Sequence, residues 1–369
     1  MSRRGENIFK RKDGRWEGRY ISGRKENGKA KYKSVYARSY AECSNKLRLA
    51  RCDLLPVNDP MTVSALFNAW LFSRKASVKQ TTYANYRYMF DHYVNVKLGE
   101  HRVDTLNAFV LNRFISELIE SGGKNGSSLS AKTVKDIAVM MKSFFDYGES
   151  EYSLPDPMKN VSPPKCKSTE IQVFSAADIF KIRQAAICGD TAELGILLCL
   201  YTGLRIGEIC ALQWGDIDLV NNVIRVRKTL TRIKNPDGVS PKTIVIIDSP
   251  KSKKSLRDIP IPTFMLSVLA ERKCYHQNSD HFLTGSQKYI EPRSYSSKYK
   301  AFLKRINVTY KNFHVLRHTF ATECIRQGID VKTVSELLGH SSVKITLERY
   351  VHSDMDMKRK QLEKLYIGI

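Results

Sequence analysis

The spacing of apolar positions changes character along the chain. Over residues 8–37 it follows a period of two. Ile8-Phe9-Lys10-Arg11 and Trp16-Glu17-Gly18-Arg19-Tyr20-Ile21 flank Asp13-Gly14, a dipeptide that favours tight hairpins. A second turn at Glu26-Asn27-Gly28 leads into Ala30-Lys31-Tyr32-Lys33-Ser34-Val35-Tyr36. From Tyr40 to Leu55 the spacing of Cys43, Leu47 and Leu54 is helical. Residues 1–55 are therefore expected to form a three-stranded sheet plus a helix. Basic and aromatic residues alternate in these strands. Such a sheet either turns its Lys and Arg to water or lies in a groove of DNA, and the second reading is favoured.

A connector containing Pro56 and Pro60 ends this block. Thr62 is a good N-cap for a helix carrying Val63, Leu66, Phe67, Trp70 and Leu71. Further amphipathic helices are predicted near 82–94, with Tyr83, Tyr86, Phe90 and Tyr93, and near 106–119. A fourth begins after Ser130 and carries Val134, Ile137, Met141, Phe144 and Phe145. Residues 61–150 thus read as a four-helix bundle, its aromatic residues serving as core. The segment 151–170, with Pro155, Pro157, Pro163 and Pro164, reads as a linker. Residues 171–369 read as mostly helical, with a β interlude at 222–230, 243–247 and 256–261. No internal repeat is evident. The expected class is a multidomain protein, mainly α with small β-sheets.

Length and composition narrow the field. The 369 residues fit two or three domains, and 42% hydrophobic residues suffice for packed cores. The formal net charge is +24. Residues 1–60 hold 16 Lys and Arg against 7 Asp and Glu, and residues 166–369 hold 32 against 20. Charge of this kind neutralises phosphates and points to nucleic acid. The eight cysteines include no CxxC pair and read as free thiols in a reducing compartment. Neither a signal peptide nor a membrane span is expected. A cytoplasmic location is expected.

Five short segments carry candidate chemistry. Thr202-Gly203-Leu204-Arg205-Ile206-Gly207-Glu208 places an Arg in an apolar run, where Glu208 could simply pair with it. Ser249 to Pro260 holds Lys251, Lys253, Lys254 and Arg257 on a turn between strands. His314-Val315-Leu316-Arg317-His318 puts His314 and Arg317 on one helical face. Its HxxxH spacing lacks the Glu of a zinc helix, so no metal is expected. Leu338-Gly339-His340-Ser341 and Glu348-Arg349-Tyr350 follow. Each alone has an ordinary structural explanation. Together they supply what phosphoryl transfer without a metal requires. Two guanidiniums can bind the non-bridging oxygens, a Tyr hydroxyl can attack, and a Lys or His can protonate the leaving oxygen.

Arg205, Lys251, His314, Arg317, His340 and Tyr350, in this order, resemble the catalytic set of the tyrosine recombinases, the phage-integrase family. The resemblance is strong over residues 171–352. It is looser at 61–150, which is similar to the SAM-like core-binding domain. It is also looser at 1–55, which resembles the arm-type DNA-binding domain of integrases of conjugative transposons and temperate phages.

The resemblance implies that Tyr350 forms a 3′-phosphotyrosyl bond while Arg205 and Arg317 clamp the phosphate. It implies that Lys251 protonates the 5′ oxygen and that His314 and His340 assist. Candidate arm-domain DNA contacts are Arg11, Lys12, Arg15, Trp16, Arg19, Lys31 and Lys33. The implied partners are double-stranded DNA at core and arm sites, three further copies of the chain in a tetramer, and an excisionase or other directionality factor. No metal or ATP is implied for the chemistry. A tail helix with Met355, Leu362, Leu365 and Tyr366 on one face would dock on its own domain or on a neighbour. Rival readings are a non-catalytic DNA-binding protein, a type IB topoisomerase and a metal nuclease. The complete six-residue set argues against the first, the extra N-terminal basic domain favours recombination over the second, and no carboxylate cluster supports the third, so a site-specific recombinase that integrates and excises a mobile element is expected.

Overall fold

A computed structural model describes residues 7–24, 30–40, 42–44, 46–47, 61–166, 171–235, 241–248, 255–350, 359 and 362–363. The chain divides into two compact units, the first holding Met1–Ser168 and Lys234–Val239 and the second Thr169–Ile233 and Ser240–Ile369.

The first unit opens with an antiparallel sheet in the order β1 (Ile8–Lys10), β2 (Trp16–Arg24), β3 (Ala30–Ala37). Gly14, at φ +85°, makes the first turn. Ile8, Ala37, Cys43 and Leu47 form a small core under the sheet. A Cβ on Gly18 would sit 3.2 Å from Leu47 and 3.3 Å from Cys43, so the missing side chain lets the following helical segment lie close. The expected turn at Glu26-Asn27-Gly28 and the helix end near Leu54 lie outside the described residues.

Four helices follow. They are α1 (Val63–Arg74), α2 (Gln80–Met89), α3 (Ala108–Ser121) and α4 (Ala131–Tyr152). Thr62, Asn107 and Ser130 each accept a backbone N–H in the first turn of the helix they precede. The Asn107 cap explains why α3 starts two residues later than its apolar pattern. The second helix ends in a π turn at Phe90–Val94 and runs past its expected end in a last turn at Asn95–Leu98. Phe67 stacks on Phe90 with centroids 3.7 Å apart, and Phe144 meets Phe67 edge-on. A Cβ on Gly148 would lie 2.9 Å from Leu66, which marks how closely α4 approaches α1. Part of the expected linker belongs to this bundle: Met158 is buried in its core and the Ser162 amide donates to Asn112.

The second unit is built around α6 (Thr191–Thr202), whose residues Leu194 to Leu200 are all buried. A helix apolar on every side must be surrounded. Packed on it are α5 (Ala176–Ile187), α9 (Pro292–Arg305) and α10 (His314–Arg326). The short α7 (Ile206–Ala211) follows α6, and α8 (Thr263–Lys273) follows the sheets. Helices α11 (Val331–Leu338) and α12 (Val343–Tyr350) complete the described fold.

The β interlude is more divided than the alternation suggests. Strands β4 (Ile217–Asp218), β5 (Val223–Val226) and β8 (Arg257–Pro260) form one antiparallel sheet, while β6 (Thr229–Lys234) pairs with β7 (Thr243–Asp248). The single strand expected over 222–230 breaks at Arg227. Its guanidinium donates to the Arg257 carbonyl at 2.8 Å, locking the bend to the neighbouring strand.

Candidate active site

The site grows from the end of α6. Gly203, at φ +66°, caps that helix and turns the chain toward Arg205. A Cβ at this position would meet Phe320 at 2.6 Å and Leu338 at 2.8 Å, so α10 and α11 close against bare backbone. The freed Gly203 carbonyl accepts a hydrogen bond from Arg317 Nη1 at 2.8 Å. One glycine thus shapes the turn and anchors the second arginine.

Glu208 organises the positive charge. Its carboxylate accepts from Arg205 Nη1 at 2.7 Å and from the Arg205 backbone amide at 2.9 Å. It also accepts from Arg257, at 3.1 Å from Nη1 and 2.8 Å from Nη2. Burial would raise the carboxyl pKa, but the hydrogen bonds from Arg257 and the charges of Arg257 and Arg205 outweigh it and hold it down at about 2. The remaining donors tie in α11: Arg257 Nε reaches the Leu337 carbonyl at 2.7 Å and Arg205 Nη2 the Gly339 carbonyl at 3.2 Å.

Arg317 is only 2% exposed, and its Nη2 has no hydrogen-bond partner. Burial and the nearby Arg205 pull its pKa down to about 9. A buried, unsatisfied guanidinium nitrogen is costly unless an anion completes it. A phosphate oxygen has the chemistry to do so, and a guanidinium fork fits it.

Three histidines and a tyrosine close the site. Tyr350 ends α12 with its ring buried beside Ala321, Cys324, Ile325, Val334 and Leu338. Burial raises its pKa, while Arg317, Arg349 and Arg205 oppose the rise. The ring of His340 lies parallel to it, centroids 6.4 Å apart, and His340 Nδ1 is 2.8 Å from the buried Thr346 hydroxyl. That contact leaves Nε2 as the free edge. The Tyr350 hydroxyl lies 2.6 Å from Nδ1 of His318. His314 sets its ring edge-on to His318 at 4.7 Å. Desolvation first, and then the surrounding positive charge, lower His314 and His318 to about 4 and His340 to about 3.

Five of the six residues expected for catalysis therefore sit within one another's electrostatic reach: Arg205, His314, Arg317, His340 and Tyr350. Lys251, with Lys253 and Lys254, lies outside the described residues. Arg257, His318 and Thr346 had been given no role. The alternation of β8 could have marked Arg257 as inward-facing. His318 stood beside Arg317 in the motif, but helical spacing alone did not aim it at Tyr350. Among the described residues no group of three His, Cys, Asp or Glu side chains is placed to hold a metal.

The expected arm contacts divide between the faces of the N-terminal sheet. Arg11 and Arg19 bond the buried Glu17, and Arg15 bonds Asp13. Arg11 and Arg15 lie over the Tyr36 ring and Arg19 over Phe9. Lys12 and Lys33 are exposed, and Lys31 lies in β3 with its side chain outside the description. Trp16 turns the other way and packs edge-on against Tyr40 at 5.1 Å, so its ring belongs to the small core.

Two arginines beside a buried tyrosine hydroxyl have the chemistry that phosphoryl transfer to that hydroxyl would require. Residues 169–357 match the phage integrase family and residues 62–119 match the phage integrase N-terminal SAM-like domain. The chain belongs to the phage integrase family of tyrosine recombinases. It is 30% identical to a tyrosine recombinase XerC-like protein of Caldanaerobacter subterraneus subsp. tengcongensis, covering 93% of each chain. It is 27% identical to the ICEBs1 integrase of Bacillus subtilis, covering 81% of each. The fold is also that of the Tn1549 transposon integrase in complex with a circular intermediate DNA. That match has a TM-score of 0.67 and 22% identity, and covers 83% of this chain and 99% of the other.

Proposed function

We propose that this recombinase is the integrase of an integrative mobile element, and that it joins and separates element and host DNA through Tyr350. The observation that carries this reading is the buried Arg317, whose unpartnered Nη2 sits in one charge cluster with Arg205 and Tyr350. In the proposed reaction Tyr350 Oη attacks the scissile phosphorus and the bond to the 5′ oxygen breaks. Arg205 and Arg317 hold the non-bridging oxygens, and the free edge of His340 donates to one of them. His314 assists at the same phosphate. Lys251 protonates the leaving 5′ oxygen. The phosphotyrosyl ester conserves the bond energy, so a 5′ hydroxyl from another strand reverses the step without ATP, and no metal is needed.

In this reading residues 1–55 bind arm sites, residues 61–150 bind core sites and residues 171–369 perform the chemistry, with residues 151–170 as the connection. Four copies act on two duplexes, and a small directionality factor biases excision. The reaction takes place on DNA in the bacterial cytoplasm. Among the described residues no helix is long and apolar enough to cross a membrane. The tail face docks on its own domain or on a neighbouring copy. Leu362 on that face is 57% exposed, and Met355, Leu365 and Tyr366 lie outside the described residues.

The test is a suicide duplex from the element's end, nicked so that the cleaved strand diffuses away, incubated in EDTA. The wild type is expected to form a covalent adduct that maps to Tyr350, and Tyr350→Phe none. Tight binding without an adduct overturns the catalytic reading, and an adduct only with added Mg²⁺ overturns its metal independence.

A further inference from the structure

We infer that His318 is the base that takes the proton of the Tyr350 hydroxyl as that oxygen attacks phosphorus. The inference rests on the covalent-tyrosine reading above and adds a residue that the six-membered set does not contain.

The geometry comes first. Tyr350 Oη is 2.6 Å from His318 Nδ1, within the range of a direct hydrogen bond between a phenol and an imidazole. Tyr350 is 6% exposed, so bulk water has little access to that proton. The other ring in the cluster is already committed elsewhere: His340 Nδ1 faces Thr346, and its ring lies parallel to Tyr350 rather than pointing at the hydroxyl. His314 meets the edge of His318. His318 is thus the side chain with a ring nitrogen on the attacking oxygen.

Protonation states agree with the geometry. A phenol has an ordinary pKa of about 10, and burial raises that of Tyr350 further, so the hydroxyl is neutral before attack. The groups facing His318 are His314 and Arg317 on its own helix and Tyr350 and Arg349 on α12, with His340 across the Tyr350 ring. Desolvation, and then the charges of Arg349 and Arg317, lower His318 to about 4. At neutral pH the imidazole is uncharged, and the tautomer with its proton on Nε2 lets Nδ1 accept from the tyrosine. A base so weak in the resting site gains strength once an anionic phosphate enters, because nearby negative charge favours the imidazolium.

The step balances. The Tyr350 O–H bond breaks and its proton passes to His318 Nδ1. The oxygen's electron pair forms the bond to phosphorus, the bond from phosphorus to the 5′ oxygen breaks, and that oxygen takes a proton from the leaving-group acid proposed as Lys251. Rejoining runs the same transfers backward and restores neutral His318, so no external oxidant, reductant or cofactor enters.

The test compares wild type, His318→Asn and Tyr350→Phe on the suicide duplex, as single-turnover cleavage between pH 5 and 9. The Asn oxygen can accept the tyrosine's hydrogen bond near the position of Nδ1 but cannot hold its proton. His318→Asn is expected to bind the duplex as Tyr350→Phe does and to cleave about 100-fold more slowly at neutral pH, the lower end for loss of a general base. Its rate should then rise about tenfold per pH unit toward the tyrosine pKa, because hydroxide must do the work, while the wild type stays flat through neutrality. Sulfur in place of the bridging 5′ oxygen removes the need for a leaving-group acid and should not rescue the variant.

An undiminished rate, a loss equal at every pH, or rescue by sulfur each overturns the inference while leaving the covalent reading intact. Absence of a wild-type adduct at Tyr350 overturns that reading instead. Should the variant not bind DNA, the wild-type profile still decides, since a rate rising steadily with pH from 5 to 9 excludes a histidine base.

Discussion

Two buried carboxylates in this chain, Glu17 and Glu208, are each bound by two arginines, and they do opposite things. Both are 3% exposed. Around Glu17 the arginine side chains remain open, Arg11 at 40% and Arg19 at 56%, and they lie over the aromatic rings of Tyr36 and Phe9. Around Glu208, the Arg257 side chain is 6% exposed and donates onward to the end of α11. The first carboxylate tethers cations that still face solvent. The second fixes a frame on which Arg205 and the last helices are hung. Charge pairing alone does not tell an open cation from one built into the frame; the exposure of the cation does.

The sharpest way to break the comparison is to neutralise each carboxylate. Glu208→Gln strands a buried Arg257 and a half-buried Arg205. Removing one partner of a buried pair destabilises by roughly 3–5 kcal/mol, and the partial exposure of Arg205 favours the lower end, about 3 kcal/mol. The single Trp214 of the second unit, buried against Phe282, reports that loss as a lowered urea midpoint. Glu17→Gln should move the signal of Trp16 less, because its arginines regain water. Equal losses at the two sites would show that exposure is the wrong criterion.

Acid should separate the clusters next. His340 is lowered to about 3 from an ordinary value of 6.5. A folded-state pKa below the unfolded one means that the unfolded chain binds the proton first as pH falls. The stability from neutral His340 is therefore complete above pH 6.5 and drains away below it. At about pH 5.5 this histidine alone removes on the order of 1 kcal/mol. Glu208, held at about 2 against an ordinary 4.5, adds its own loss as pH drops below 4.5. The Trp214 urea midpoint should accordingly fall from pH 7 to 5 without DNA, and less with a bound duplex whose phosphates favour the imidazolium. A midpoint unchanged over that range would mean that the site histidines titrate normally.

How far the sequence revealed this follows from what each signal encodes. Helix existence was legible because α1, α3 and α4 bury one stripe each, and Thr62 and Ser130 stood out as caps, whereas the Asn107 cap was not read. The π turn after Met89 was not, because an extra residue in a turn leaves the apolar pattern almost intact. The break at Arg227 was not, because it depends on the carbonyl of Arg257, thirty residues away. In the site, Arg205, His314, Arg317, His340 and Tyr350 were legible as a set because their chemistry is complementary. Arg257 and Thr346 act through other residues, on Glu208 and His340, so their spacing carries no chemical signature of its own. The packing of Trp16 on Tyr40 was not legible, because a strand shows its alternation but not which face a later helix covers.

The smallest effect is expected on the open face of the N-terminal sheet, and it tests the other half of the comparison. If guanidiniums tethered by Glu17 meet DNA phosphates, Arg19→Ala removes one such contact and exposes the ring of Phe9 beneath it. Binding to an arm-site duplex should weaken, and the slope of log affinity against log salt should shrink by about 0.9, the value for one phosphate on duplex DNA. Cleavage of a core-only suicide duplex should stay at the wild-type rate, since Arg19 belongs to the first unit and the whole set around Tyr350 to the second. A salt slope unchanged by Arg19→Ala would make Glu17 a structural centre like Glu208 and the sheet a scaffold with solvated charges. A reduced slope for DNA of any sequence, with core cleavage intact, would make it a phosphate-tracking arm that holds a second duplex while Tyr350 works on the first.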